Sequence, residues 1–269
     1  MHFSKHLYVT LNFLLASLII KPANIQAQQV IPLMLVGDDT YKVEDLKKRR
    51  PRTENALRYI ENALSIRFEI NFYPFNRIFS NLKKGEGLVF DISKTAERES
   101  YLYFSKPVYA NYVWLVMRSD ARFNFNDLQD LKGKTIGVVA GATYGDEFEQ
   151  AKISRLFKIE NDPPILLKRC EKLYLRRMDA MFHSSGTAKA KEVERLLNQR
   201  LKPHLAEISN VSEVPLHVEI KPVWSDEKAY FATSRNQNSK LIELLNQAIE
   251  KGIKTGAFET VTSNDEIVK

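Results

Sequence analysis

The same order of apolar patterns occurs twice along this chain, and this repetition constrains the fold more than any other feature. In the first series, residues 31–36 form a short apolar run, residues 56–64 carry apolar side chains at helical spacing, and residues 66–72 alternate apolar with polar side chains. The second series begins with the apolar run 135–139 and continues with a helix predicted over 146–157. Strands that alternate with helices predict mainly parallel α/β sheets. Because no low-complexity linker separates the two series, we expect two lobes joined by crossing strands.

Shorter patterns predict further elements. Thr53 is a candidate N-cap for the first long helix, and Pro74 is expected to open the next helix. The segment 164–167 is interpreted as a strand, and residues 187–199 and 239–254 as helices.

The composition is that of a folded protein, with 44% apolar and 27% charged residues. A net charge of +7 raises the question of nucleic-acid binding. The basic residues are scattered, however, except for a run within residues 47–52. We interpret this run as a solvated loop, with an anion- or membrane-binding patch as the alternative, and expect no nucleic-acid partner.

The first 27 residues have the order of a secretion signal. Lys5 precedes an apolar run over 7–20, which is followed by Pro22, Ala23 and a possible small-residue cleavage point at Ala27. The run is shorter than the ~20 residues of a membrane span, so we expect cleavage before Gln28 and a periplasmic protein. A retained N-terminal anchor, with Lys21 as the stop, is the alternative.

Signatures of catalysis and cofactor binding are not found in the sequence. The five histidines lack metal-ligand spacing, and no Gly-x-Ser-x-Gly elbow surrounds the Ser184–Gly186 stretch. One cysteine, Cys170, excludes an internal disulfide and a thiolate metal site, and we expect it to be a buried apolar residue. We therefore predict no catalytic residue, no metal and no cofactor.

Two passages resemble the family 3 extracellular solute-binding proteins, which include the periplasmic polar amino-acid binders of ABC transporters. They read Asp91-Ile-Ser-Lys-Thr-Ala-Glu-Arg-Glu-Ser-Tyr-Leu-Tyr-Phe-Ser-Lys-Pro107 and Asp130-Leu-Lys-Gly-Lys-Thr-Ile-Gly-Val-Val-Ala-Gly-Ala-Thr-Tyr-Gly145. The resemblance implies the type II periplasmic-binding-protein fold, with two α/β lobes joined by two crossing strands. It implies a discontinuous first lobe of residues 28–115 plus 225–269 around a second lobe of residues 116–224.

The same resemblance implies a ligand-carboxylate site. The family's carboxylate-binding arginine corresponds to Arg98, its nearby hydroxyl contact to Ser93, and its contact from the other lobe to Thr143. Arginine suits this role because its planar guanidinium forms two parallel hydrogen bonds with a carboxylate. The turn at Thr143 precedes a predicted helix, whose N-terminus would favour an anion.

The pattern departs from the family where the ligand's ammonium group would bind. Ser184 stands where amino-acid binders usually carry an aspartate. The Pro-Phe pair that is common after the first strand is missing, and Asp38, Asp39 and Tyr41 hold the neighbouring positions. Tyr41 is expected to stack on the ligand, while Asp91, Asp38 or Asp39 could supply a carboxylate. If no acid reaches the cleft, free α-amino acids should bind weakly and deaminated analogues should compete well.

These features predict a non-enzymatic, monomeric binding protein that captures a small amino acid or related organic acid. The expected partner is an inner-membrane ABC permease. One alternative is an enzyme on the same scaffold that resembles cyclohexadienyl dehydratases, for which Asp91 is the only evident acid. Another is a sensory module without a transporter.

Overall fold

The computed structural model describes residues 28–38, 40–207, 214–219, 222–237 and 239–258, with the side chains of 206, 207, 225 and 226 left out. The expected signal sequence and Asp39 lie outside the described residues. Within the described part of the chain, no helix combines the length and the apolar character needed to cross a membrane.

The chain alternates strands with helices. The strands are β1 (Gln29–Val36), β2 (Ile66–Tyr73), β3 (Leu88–Ile92), β4 (Leu102–Phe104), β5 (Tyr109–Arg118), β6 (Thr135–Val139), β7 (Lys158–Asp162), β8 (Ala180–Ser185), β9 (Leu216–Val218) and β10 (Trp224–Ser234). The α-helices are α1 (Leu46–Arg49), α2 (Pro51–Leu64), α3 (Phe75–Lys83), α4 (Ala96–Glu99), α5 (Asp146–Ile153), α6 (Leu166–Tyr174), α7 (Ala190–Leu201) and α8 (Lys240–Lys254). Short 3-10 helices cover Val43–Asp45, Ser119–Ala121, Leu128–Leu131 and Lys202–Glu207.

The strands form one curled sheet in the order β2-β1-β3-β10-β5-β8-β6-β7. At one end β1 pairs in parallel with β2 and β3, and at the other β6 pairs in parallel with β7 and β8. Between these groups, β10 and β5 run antiparallel to each other and to their outer neighbours. Two parallel units joined by two antiparallel strands confirm the expected two-lobed α/β fold.

Separate apolar clusters lie in the two lobes. In the first lobe, helices α2 and α8 pack on one face of the sheet around Phe90 and Phe231, whose rings stack with centroids 4.1 Å apart. In the second lobe, Trp114 and Phe182 lie in two further clusters and are completely buried. The exact limits of the lobes stay a prediction.

The crossing strands bring residues that are far apart in the sequence into register. Asn111 of β5 faces Glu227 of β10, and Tyr109 faces Ala229. The pairing is irregular between Trp224 and Glu227, where a bulge interrupts the register. Glu227 thus lies on the strand that connects the lobes.

Two local predictions are wrong. Helix α2 begins at Pro51, so Thr53 is inside it rather than at its cap, and its buried hydroxyl lies 3.1 Å from the Tyr109 hydroxyl. Proline suits the first helical position because it has no N–H to leave unpaired there. The expected strand 164–167 does not form, because α6 begins within this segment at Leu166, and the strand lies earlier, at β7.

The basic run is also not a loop. Lys47 and Lys48 are exposed, as expected, but they belong to α1. Arg50 donates to the Val36 carbonyl at 2.7 Å, and Arg52 donates to the Ala110 carbonyl at 2.9 Å. Both guanidinium groups therefore hold the start of α2 against strands of the sheet.

Cys170 is completely buried, as predicted from the sequence. Burial raises the pKa of its thiol to about 12. The thiol therefore stays protonated near neutral pH, and Cys170 acts as a small apolar residue of α6.

Candidate ligand-binding cleft

A cavity of about 680 Å³ lies between the two lobes. Helices α3 and α4 line it from the first lobe, while the turn after β6, helix α5 and strand β7 line it from the second. Its charged lining residues are three bases and three acids: Lys83, Arg98, Lys152, Glu97, Asp146 and Glu149. A cleft with both signs of charge suits a small ligand that carries both.

Arg98 is the most buried charged group in this lining, with 6% of its surface exposed. Thr95 caps α4 by accepting the Arg98 backbone N–H at 3.2 Å. The guanidinium lies over the Phe79 ring, 4.2 Å from its centroid, and donates to the Ser93 carbonyl at 2.8 Å. Among the described residues, no carboxylate lies within ion-pair distance of it.

The positive charge of Arg98 is largely shielded from water at the wall of the cavity. Burial lowers the pKa of Arg98, while the charges of Tyr101, Glu227, Glu97 and Glu149 act in the opposite direction. Arginine nevertheless remains protonated at physiological pH. A buried cation without a bonded carboxylate favours an incoming anion.

Ser93 lies beside Arg98 at the end of β3 and is half-buried. Its carbonyl accepts from Arg98, while its hydroxyl donates to the Glu227 carboxylate on the crossing strand β10. Ser93 therefore connects the cleft arginine with the strand that joins the lobes.

Thr143 lies across the cavity, in the turn before α5. The turn includes Gly141 at φ +79°, a left-handed conformation that favours glycine. The Thr143 hydroxyl donates to Glu149 at 3.1 Å, and Lys152 pairs with the same carboxylate at 2.7 Å. The Thr143 hydroxyl, which was expected to bind the ligand, is thus hydrogen-bonded to Glu149.

The start of α5 differs electrostatically from the expected anion site. Asp146, Glu147 and Glu149 all lie in its first turn. Their negative charges offset the partial positive charge of the helix N-terminus. Of the two expected anion-binding elements, Arg98 and not the start of α5 therefore contributes positive charge to the cavity.

The lobes contact each other beside the cavity. A Cβ built on Gly141 would lie 2.6 Å from the Asn76 Oδ1 atom and 2.8 Å from the Phe75 Cβ atom. The Tyr41 hydroxyl donates to the Pro164 carbonyl at 3.1 Å. The turn after β6 and the segment before α6 thus both approach the first lobe closely.

Tyr41 makes other contacts than the ligand stacking expected from the sequence. Its ring packs on Phe72 with centroids 5.4 Å apart, and the guanidinium groups of Arg49 and Arg50 lie about 5 Å from its centroid. The tyrosine therefore connects the first lobe to Pro164.

Asp91 and Ser184 lie apart from this cavity. Asp91 has φ +65°, an unusual value for a residue other than glycine, and its carboxylate accepts from Thr53 at 3.3 Å. Ser184 is exposed and faces Val113 across the β8–β5 pair. The structure thus brings Arg98 and Thr143 to one cavity with Ser93 adjacent, and places Asp91, Ser184 and Tyr41 elsewhere.

Two acids near the cleft were missed by the sequence reasoning. Glu149 follows Thr143 by six residues, so a search of the first helical turn after the predicted site would have found it. Glu227 carries no such local signal, because it approaches Ser93 through the pairing of strands far apart in the chain.

Solved structures with the same fold include proteins with bound amino acids. An ancestral arginine-binding protein bound to arginine matches with a TM-score of 0.62 at 20% identity, covering 86% of this chain and 95% of that one. The amino acid ABC transporter substrate-binding protein AbpA from Streptococcus pneumoniae, bound to L-arginine, matches with a TM-score of 0.61 at 16% identity, covering 85% and 91%.

The GluR0 ligand-binding core from Nostoc punctiforme, in complex with L-glutamate, matches with a TM-score of 0.61 at 17% identity, covering 85% of this chain and 95% of that one. At these identities the likeness shows a shared fold. No curated protein matches the chain significantly.

The sequence of the chain agrees with the fold. The model for the bacterial extracellular solute-binding proteins, family 3, matches residues 55–263, which include the described cleft residues and both crossing strands. The chain therefore belongs to the bacterial extracellular solute-binding proteins of family 3.

Proposed function

We propose that this protein captures a small carboxylate-bearing solute, an amino acid or a related organic acid, between its two lobes and catalyses no reaction. The observation that carries the proposal is Arg98, a buried guanidinium that lines the cavity and to which none of the described residues bonds a carboxylate. A ligand carboxylate would supply that missing partner through two parallel hydrogen bonds. Thr143 would add a hydrogen bond from the second lobe, after its hydroxyl turns away from Glu149.

Closure of the lobes follows from this division of the site. Because Arg98 and Thr143 belong to different lobes, a ligand that contacts both binds the closed arrangement more tightly than an open one. Residues 28–115 plus 225–269 would move against residues 116–224, with β5 and β10 as the hinge.

The ligands of the structural relatives support an amino acid as the solute. Two of those proteins are bound to arginine and the third to L-glutamate. Each of these ligands carries a carboxylate beside an ammonium group. The cavity of this chain is lined by both bases and acids.

A thermal-shift screen tests the proposal. Amino acids, keto acids and dipeptides should be screened, because a ligand that binds only the folded state raises the midpoint of unfolding. Hits are then titrated by calorimetry, and the recovered ligand is checked by mass spectrometry. Unchanged ligand supports a binding protein, whereas a converted product would support the dehydratase-like alternative.

Scattering tests closure. The radius of gyration should decrease when a confirmed ligand saturates the protein. An unchanged radius at saturation would contradict a hinge that closes on the ligand.

Delivery to an inner-membrane ABC permease is the cellular part of the proposal, with a monomeric, periplasmic protein that begins at Gln28. N-terminal sequencing of the periplasmic fraction tests cleavage. Deletion of the gene should lower uptake of the radiolabelled ligand, whereas unchanged uptake would support a sensory module instead.

A further inference from the structure

The carboxylate that would pair with a ligand's ammonium group is the missing half of the proposed site. Ser184, expected at that place, has a neutral and exposed side chain. Asp91 accepts from Thr53, and Asp38 accepts from the Thr40 backbone and hydroxyl. These two aspartates are therefore bonded within the first lobe.

Three acids line the cavity itself, and two of them, Glu97 and Asp146, are exposed, whereas Glu149 is half-buried. Glu149 lines the cavity, but each of its oxygens has a partner, Thr143 at 3.1 Å and Lys152 at 2.7 Å. The Lys152 ammonium already balances its charge. Glu149 is therefore poorly suited to a second cation.

Glu227 approaches the site from the crossing strand. Its carboxylate accepts from the Ser93 hydroxyl, and the Ser93 carbonyl accepts from Arg98. Its charge acts on groups from both lobes: burial lowers the pKa of Arg98 and raises that of Tyr144, and the charge of Glu227 raises both. The Glu227 carboxylate thus lies between the lobes, and a single residue, Ser93, connects it to Arg98.

The geometry points to Glu227 as the specificity-determining residue that binds the ligand's ammonium group while Arg98 binds its carboxylate. This inference rests on the proposed function, because it assigns the second half of the same site. In an α-amino acid the carboxylate and the ammonium group are attached to the same carbon, so their protein partners must lie close together in space. Arg98 and Glu227 meet this requirement, since both bond to Ser93. A carboxylate can accept several hydrogen bonds, so the Ser93 hydroxyl and an ammonium group can share it.

The inference predicts selectivity for amino acids over their deaminated analogues. Two matched pairs serve as probes: L-arginine with 5-guanidinopentanoate, and L-glutamine with 4-carbamoylbutanoate. In calorimetric titrations the wild type should bind at least one of the amino acids about tenfold or more tightly than its analogue. An ammonium–carboxylate hydrogen bond has this order of magnitude.

Glu227→Gln removes the charge and keeps the shape of the side chain. It should weaken binding of the amino acid by about 10- to 100-fold and change binding of the analogue by less than about threefold. Glu149→Gln is the matched control, since it makes the same change at a hydroxyl-bonded glutamate that lines the cavity. It should keep the preference for the amino acid.

Equal weakening of both members by Glu227→Gln would show a structural role and overturn the inference. A wild type without preference, or loss of the preference in Glu149→Gln alone, would also overturn it. If the protein bound organic acids but no amino acid, only this inference would fail; if it bound neither amino acids nor related organic acids, the proposed function itself would be contradicted. If Glu227→Gln does not fold, Glu227→Asp should show a smaller selective loss, and equal losses there would contradict the inference.

Discussion

Two buried arginines, one in each lobe, differ in the partners that the described residues supply to them. Arg169 of α6 is 4% exposed, donates to the Phe182 carbonyl at 2.7 Å, and lies 3.6 Å from the Asp162 carboxylate. Arg98 is 6% exposed and donates to a single backbone carbonyl among its described contacts, with an aromatic face and a cavity around the rest.

The difference lies in the source of the negative charge. The second lobe supplies Asp162 for Arg169, so the charge pair is complete within the fold. At Arg98 the described residues supply no bonded carboxylate, and the cavity leaves room for one. A buried cation next to a carboxylate of the same lobe contributes to the stability of that lobe. A buried cation without such a carboxylate is left uncompensated, which favours an anionic ligand.

The largest effect is expected from breaking the completed pair. Asp162→Asn should lower the free energy of unfolding by about 3–5 kcal/mol, because it leaves the buried Arg169 without its counter-charge. In a chain of this size that corresponds to a fall of roughly 6–20 °C in the melting temperature. Calorimetric melts measure it, and a change below 1 kcal/mol would contradict the structural role of the pair.

A smaller effect is expected at His183, which lies beside Phe182 in the same lobe. Burial, together with the smaller effects of the charges of Arg169 and Arg200, lowers the pKa of His183 to about 3. Since the folded-state value lies below the unfolded value of about 6.5, stability is complete above pH 6.5 and is lost as the pH falls toward 3.

Between pH 7 and pH 5 this protonation should cost the wild type at most about 2 kcal/mol of unfolding free energy. His183→Gln removes the titrating group, so its stability should fall less over the same range. Urea unfolding of both proteins at the two pH values tests this, and parallel pH profiles would refute the assignment.

The smallest effect concerns the approach of the lobes beside Arg98. Gly141→Ala should weaken ligand binding by about tenfold, because a methyl group there collides with Asn76 and Phe75 of the first lobe. Gly133→Ala is a matched control: its φ is also positive, at +74°, but no atom lies within 4 Å of its added Cβ. Equal affinities in the two variants would show that the contact at Gly141 does not contribute to binding.

Much of this arrangement follows from the sequence, and the remainder depends on tertiary contacts. The apolar patterns and the passage around Arg98 predicted the two-lobed α/β fold, because local periodicity and capping determine which segments form strands and helices. The strand expected at 164–167 was wrong because α6 begins inside that apolar run at Leu166. Glu227 and the Arg169–Asp162 pair could not be predicted, since strand register and helix docking bring together residues with no common local pattern.

The most direct test of the account is the behaviour of Arg98→Ala in two measurements on one sample. Calorimetric titration with the tightest ligand of the screen should show a loss of about 100-fold or more, because the ligand's carboxylate loses its charged partner. The melt without ligand should stay within about 1 kcal/mol of the wild type, since Arg98 forms no ion pair with any of the described residues. Affinity within a few-fold of the wild type would contradict the account and show that the ligand binds elsewhere.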